Sequence, residues 1–225
     1  MENIEIVNER VQYNRELHRY YIDGNPVPSV TEIINNKFKD FAVGGKLSCM
    51  PSFMKNMQAA ANFGNKIHDF TDQYDKGELT KIEIKKMPDK EQTHMIGWLN
   101  FLKDFDLEIA TIDNTLLSEY LIYSYSRYYA GRFDRICRKR KDGALVMVDL
   151  KCTFEIPATV GLQTAGYTHG FEEMHPGIKI KERMCCQLTG EGKKKYEYLV
   201  CTDRLDVVVF LAKLTSLQWD RKNGQ

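Results

Sequence analysis

Asp134, Asp149 and Lys151 are the residue types from which a divalent-metal hydrolase is built. They fall in residues 130–153, Ala-Gly-Arg-Phe-Asp-Arg-Ile-Cys-Arg-Lys-Arg-Lys-Asp-Gly-Ala-Leu-Val-Met-Val-Asp-Leu-Lys-Cys-Thr, which read as two strands joined by a tight turn. Side chains alternate along a strand, so Asp149 and Lys151 share one face. With a loop at 140–143, Asp134 lies across from Asp149. Two carboxylates and a lysine then converge on one patch. Carboxylate oxygens suit Mg²⁺ or Mn²⁺, which keep several waters. Such an ion polarises a phosphate oxygen and lowers the pKa of an attacking water. A lysine on the same face positions that water or stabilises developing charge. The competing reading is an ion pair at an exposed strand end, and Asp-x-Lys spacing alone does not separate the two. Location favours the first: Asp149 follows Ala144-Leu-Val-Met-Val148, so it stands at the mouth of an apolar strand.

The elements that must hold these residues are legible around them. Asp23-Gly24-Asn25 between 18–22 and 26–30 predicts an N-terminal β-hairpin, after which Ser29 or Thr31 caps a helix through Asn35. Long helical patterns cover 52–75 and 88–105, the second with Trp98, Leu99, Leu102 and Phe105 toward the core. Strands are expected over 115–125, 128–139 and 144–153, then a helix from Ala158 to Glu173. A strand over 195–202 and a helix over Leu205–Trp219 close the chain. The stretch 174–195, rich in Lys, Glu and Gly, reads as a mobile loop, and the later strand returns parallel to its neighbour. The predicted fold class is α/β: a mixed central β-sheet flanked by helices, with an N-terminal hairpin.

With 225 residues, the expectation is one domain spanning 1–225, with hairpin and helix over 1–36 and the core over 52–219. Composition is ordinary, 43% hydrophobic and 28% charged, and a net charge of +1 argues against a generally basic binder. Contacts with nucleic acid must then come from local patches. No apolar run approaches a membrane span, and the N-terminus has neither signal nor transit character, so a cytoplasmic location without membrane association is expected. The six cysteines, Cys49, Cys137, Cys152, Cys185, Cys186 and Cys201, form no Cys-x-x-Cys pair and read as free thiols.

Further residues join the pattern. Glu119 lies in a strand-like segment, His68 sits one turn after Gly64, and Gln163 and Tyr167 share a helix face. His68 with Asp72 is another helical pair, while His94, His169 and His175 read as surface. Lys46, Lys55 and Lys66 precede or line the His68 helix, and Arg132 and Arg135 flank Asp134. Tyr125, Tyr128 and Tyr129 could stack on bases, and Lys193-Lys194-Lys195 could contact phosphate or serve solubility alone.

In order and spacing, Gly64-x-x-x-His68, Glu119, Gly131-Arg132-Phe133-Asp134, Asp149-Leu150-Lys151 and Gln163-x-x-x-Tyr167 resemble the RecB-type branch of the PD-(D/E)XK nuclease superfamily. Pro28-Ser29-Val30-Thr31 with its hairpin looks like the phage-type exonucleases of that branch. The likeness spans roughly residues 18–203. It implies a restriction-endonuclease-like core and a metal-dependent DNA exonuclease working in recombination, repair or phage replication. The alternatives are a structure-specific endonuclease of the same fold or a non-catalytic nucleic-acid-binding module. By the resemblance, His68, Asp134, Asp149 and the Leu150 carbonyl ligate Mg²⁺ or Mn²⁺, Lys151 activates water, and Glu119 supports the site. Gln163, Tyr167, Arg132, Ser29, Thr31 and Lys66 are the candidate substrate contacts. Phe133 stands where many relatives have proline. The late cysteines lack the spacing of the branch's iron–sulfur proteins, so no cluster is expected. Implied partners are DNA, as single strands or duplex ends, and a helicase, annealing protein or recombinase.

Overall fold

The computed structural model describes residues 4–35 and 51–224. Lys46, Cys49 and the side chain of Lys55 lie outside the described residues, as does the boundary expected at 36. The chain begins with β1 (Ile4–Ile6), β2 (Val11–Asn14), β3 (Arg19–Ile22) and β4 (Asn25–Val27), a four-stranded antiparallel sheet. The hairpin expected from Asp23-Gly24 is its second half. Both turn residues take positive φ, at 52° and 74°, which Gly adopts freely and Asp tolerates. α1 (Val30–Asn35) follows, and the Ser29 hydroxyl caps it by accepting the Glu32 N–H at 3.0 Å.

Next come α2 (Pro51–Asp75), the short and unpredicted α3 (Lys81–Ile84) and α4 (Asp89–Asp104); α2 and α4 lie close to the helical patterns read from sequence. The remaining elements are β5 (Leu107–Ile109), β6 (Thr111–Ile112), β7 (Thr115–Leu116), β8 (Ser118–Ser124), β9 (Tyr129–Lys139), β10 (Leu145–Lys151), α5 (Val160–Met174), β11 (Ile180–Leu188), β12 (Tyr196–Val200) and α6 (Asp206–Lys222). The main sheet is mixed and has six strands in the order β12-β11-β10-β9-β5, with β8 also on β9. β8, β9 and β10 are antiparallel neighbours, as expected.

The stretch read as a mobile loop is where expectation fails. Residues 180–188 form β11, which lies parallel to β10. Lys181, Glu182 and Arg183 gave it a loop's charge. Two of them are consumed in ion pairs, Glu182 with Lys139 and Arg183 with Asp206, and Met184–Leu188 are buried. The final strand is therefore antiparallel to β11 and at the sheet edge, not the parallel return.

Alternating side chains of β10 enter two cores. Leu145 and Met147 pack with Phe133, Phe171 and Phe210 beneath α5 and α6. Val146, Val148 and Leu150 pack with Ile67, Trp98 and Phe101 of α2 and α4. A strand buried on both faces explains the uninterrupted apolar run ahead of Asp149. Leu99, expected in the core, is only half-buried, whereas Met95, Phe101 and His94 are buried, so His94 is not a surface residue. No described helix is long and apolar enough to cross a membrane.

Candidate metal centre

The turn that closes the β9–β10 hairpin pairs Lys139 N–H with the Ala144 carbonyl at 2.9 Å, leaving residues 140–143 as the loop. That count places Asp134 opposite Asp149. The ladder, however, ends one step short, at Val148↔Arg135. The Leu150 N–H instead donates to Asp134 Oδ2 at 2.6 Å, so a side-chain carboxylate enters where a backbone carbonyl would continue the sheet.

β8 is distorted at the same level. Ser118 pairs with Arg135 and Tyr120 with Phe133, but Glu119 between them has φ of 48°, left-handed backbone inside a strand. Such strain in a non-glycine residue persists where surrounding contacts over-determine it. Here they include Arg132 Nη1 on the Glu119 carbonyl at 3.0 Å and Arg135 Nη1 on Glu119 Oε1 at 3.1 Å. From α2, His68 Nδ1 lies 3.4 Å from Asp134 Oδ1 and 3.8 Å from Glu119 Oε1. One ligand atom from each of His68, Glu119 and Asp134 falls within 4.8 Å of the others.

Asp149 stands outside that tight group. Its side chain is 2% exposed, with Lys151 Nζ 2.7 Å from Oδ2. The contact has the distance of an ion pair but not the angles of a hydrogen bond, so neither Asp149 oxygen has a hydrogen-bond partner. Charges set the protonation here. Burial raises the Asp149 carboxyl, and Lys151 only partly offsets this, leaving it at about 6. For Asp134, burial is outweighed by His68, Lys151 and the Leu150 N–H, which hold it down at about 2. Burial alone would lower His68, but the Asp134 and Glu119 carboxylates push it up to about 10. The cluster thus draws a positive charge into its centre.

Other predicted residues separate into two places. Ser29, Thr31, Arg132 and Tyr167 line one small cavity of about 160 Å³ between the N-terminal sheet and β9. Tyr167 and Gln163 are both buried and 3.4 Å apart, and a Cβ on Gly131 would lie 2.9 Å from the Tyr167 ring, so only glycine allows this approach. Lys66 lies elsewhere, paired with Glu91 of α4 at 2.8 Å. Asp72 does not join His68; it bonds Lys76 and Ser118, each at 2.5 Å. Tyr129 is fully buried and donates to the Gly166 carbonyl, so it cannot stack on a base. His169 and His175 are half-buried against Tyr129 and Tyr120 rather than at the surface.

Sequence reasoning missed Asp75, Thr71 and the true position of Arg135. Arg135 has 0% of its side chain exposed. Its Nε donates to Asp75 Oδ2 at 2.6 Å, its Nη2 to Thr71 Oγ1 at 3.1 Å, and its Nη1 to the Asp134 carbonyl at 2.6 Å. Trp98 Nε1 completes Asp75 at 3.0 Å. One guanidinium therefore ties the His68 helix to the strands of Asp134 and Glu119. The available signal was register: opposite buried Val148, Arg135 faces inward, away from solvent.

No family model matches the chain, and no curated protein matches it. Among solved structures it is similar to SSO0001, with 15% identity and a TM-score of 0.31. The match covers 59% of this chain and 57% of that one. The chain thus spans little more than half of that protein, and so slight a likeness carries no argument about fold or function.

Proposed function

We propose that this chain is a Mg²⁺- or Mn²⁺-dependent deoxyribonuclease of the RecB-type PD-(D/E)XK branch, hydrolysing phosphodiester bonds from DNA ends. The observation that carries this reading is the convergence of His68, Glu119 and Asp134 beside an Asp149 whose buried oxygens lack hydrogen-bond partners. A buried carboxylate held by one ion pair and no hydrogen bond is rare because desolvation is costly, and functional sites are where such groups persist. The donor set fits the proposed ions: carboxylate oxygens and one imidazole, with no thiolate in the cluster.

His68, Asp134, Asp149 and the Leu150 carbonyl would hold the ion, with Glu119 in support. When bound, it supplies positive charge to a phosphate oxygen and to the attacking water. Lys151, held beside Asp149, would orient that water and balance negative charge developing on the phosphoryl oxygens. The Leu150 N–H fixes Asp134, and Arg135 fixes Glu119, so neither carboxylate must reorganise. The cavity of Ser29, Thr31, Arg132 and Tyr167 is the proposed contact for the DNA strand. A helicase, annealing protein or recombinase remains the partner class that the family resemblance implies.

The test is digestion of end-labelled linear DNA beside closed circular DNA with Mg²⁺, Mn²⁺ or EDTA. Metal-dependent shortening of linear DNA alone is the expected result. Cutting of the closed circle would make the chain an endonuclease, and no cleavage with either metal would overturn the reading.

A further inference from the structure

A groove of about 690 Å³ begins immediately after Lys151, lined by Cys152, Thr153 and Phe154 and, across from their segment in sequence, by Gln187, Lys193 and Lys194. Phe154 is 95% exposed, the most exposed large apolar side chain among the described residues. A single apolar side chain in water is unremarkable in itself, but this one lines a groove that starts beside the candidate centre. Its backbone is held in place: Gln187 Nε2 donates to the Thr153 carbonyl at 2.6 Å, and the Thr153 hydroxyl donates to the Glu155 carbonyl at 2.7 Å. The β11–β12 turn is held too. Asn100 of α4 donates to the Lys194 carbonyl at 3.0 Å, and Gly190 and Thr189 both donate to the Lys195 carbonyl. Binding would therefore order little on the protein side.

We infer that this groove is a subsite for single-stranded nucleic acid, with one base stacked on Phe154 and the adjoining phosphate met by Lys193. The inference rests on the nuclease reading and extends it along the strand beyond the scissile bond. The occupant is a single strand for two reasons. An aromatic platform needs an uncovered base face, which a duplex hides. The groove also offers Lys193 as its one lining lysine without an ion pair among the described residues, since Lys194 Nζ lies 3.8 Å from Asp104 Oδ2 and Glu191 and Glu197 line the same groove; that suits one phosphate and not the two backbones of a duplex. Stacking dominates here, so binding at this subsite has a shallow salt dependence.

The test compares wild type with Phe154→Ala and Phe154→Trp. Binding of a fluorescein-labelled oligothymidylate is followed by anisotropy in EDTA, and cleavage of single- and double-stranded DNA is followed with Mg²⁺. Phe154→Ala should weaken oligothymidylate binding, and raise KM on single strands, by about 5- to 100-fold. kcat and duplex cleavage should hold, and Phe154→Trp should restore binding. Unchanged oligonucleotide affinity in Phe154→Ala overturns the subsite even if wild type cleaves DNA, and leaves Phe154 to a protein partner. Phe154-dependent binding by a wild type that cleaves nothing keeps the subsite and removes the nuclease.

Discussion

Replacing Arg135 with methionine should destabilise the fold severely, and a second substitution should largely repair it. The guanidinium is fully buried, and its main partner, Asp75, is 1% exposed. Burial pushes the Asp75 carboxyl upward against the pull of Arg135. Arg135 nevertheless stays charged, and the 2.6 Å contact from Nε is that of an ionised pair, so we treat both groups as charged. Removing the cation strands a carboxylate in the core, with only Trp98 and any incoming water to satisfy it. Breaking one side of such a pair costs about 3–5 kcal/mol, a large share of a typical total of about 5–15 kcal/mol. Replacing both partners with neutral groups of similar size is often close to neutral. Arg135→Met with Asp75→Asn, which keeps an acceptor for Trp98, should therefore return to within about 2 kcal/mol of wild type. Urea denaturation followed by circular dichroism reads this as a midpoint that falls in the single variant and recovers in the double, at constant slope. Cleavage should not recover with stability. The Glu119 carboxylate and the Asp134 carbonyl still lack their donor, and a loss of about 1.4 kcal/mol there is tenfold in rate. A single variant that loses less than about 1 kcal/mol, or a double variant no more stable than the single, would refute the reasoning.

Asp149→Asn should raise the melting temperature in EDTA while abolishing cleavage, because burial disfavours the Asp149 charge by more than the ion pair with Lys151 at 2.7 Å returns; calorimetry beside the nuclease assay checks this. Gly97→Ala should lower stability by about 1–3 kcal/mol despite alanine's better helix propensity, since its Cβ would overlap the Lys195 carbonyl and force the β11–β12 turn off α4; thermal unfolding reads the sign. Glu173 accepts from Ser124 Oγ at 2.6 Å and from Ser126 N and Oγ at 2.9 Å. Burial works to raise its pKa, but these bonds outweigh it and hold it below the usual carboxylate value. A depressed folded pKa adds stability above the unfolded value of about 4.3 and loses it as pH falls through the folded one. The advantage of wild type over Glu173→Gln should therefore shrink between about pH 5 and pH 3, as measured by urea midpoints across that range.

The candidate centre was readable where local rules governed it. A turn of fixed length and a strand of period two set Asp134, Asp149 and Lys151 near one another, and helix periodicity located His68. What escaped was decided by distant partners. Lys181-Glu182-Arg183 looked solvated because their charges were visible and their ion-pair partners, Lys139 and Asp206, were not. Arg135 looked like a flanking basic residue because Asp75 is far from it in sequence. The distortion at Glu119 follows from how β8 meets β9, which no run of residues in β8 announces. The unassigned strands β1 and β2 are short, and only pairing gives them a reason to be extended, β2 against β3 and β1 against β2.

Single-turnover cleavage of end-labelled linear DNA with Mg²⁺, comparing wild type with Lys151→Ala and Asp134→Asn after circular dichroism has confirmed folding, bears most directly on the proposed chemistry. Cleavage by wild type that EDTA abolishes, slowed by about 10²-fold or more in each variant, is the predicted result. Folded variants that cut at the wild-type rate would mean that the His68–Glu119–Asp134 cluster and Lys151 are not where phosphodiester hydrolysis occurs.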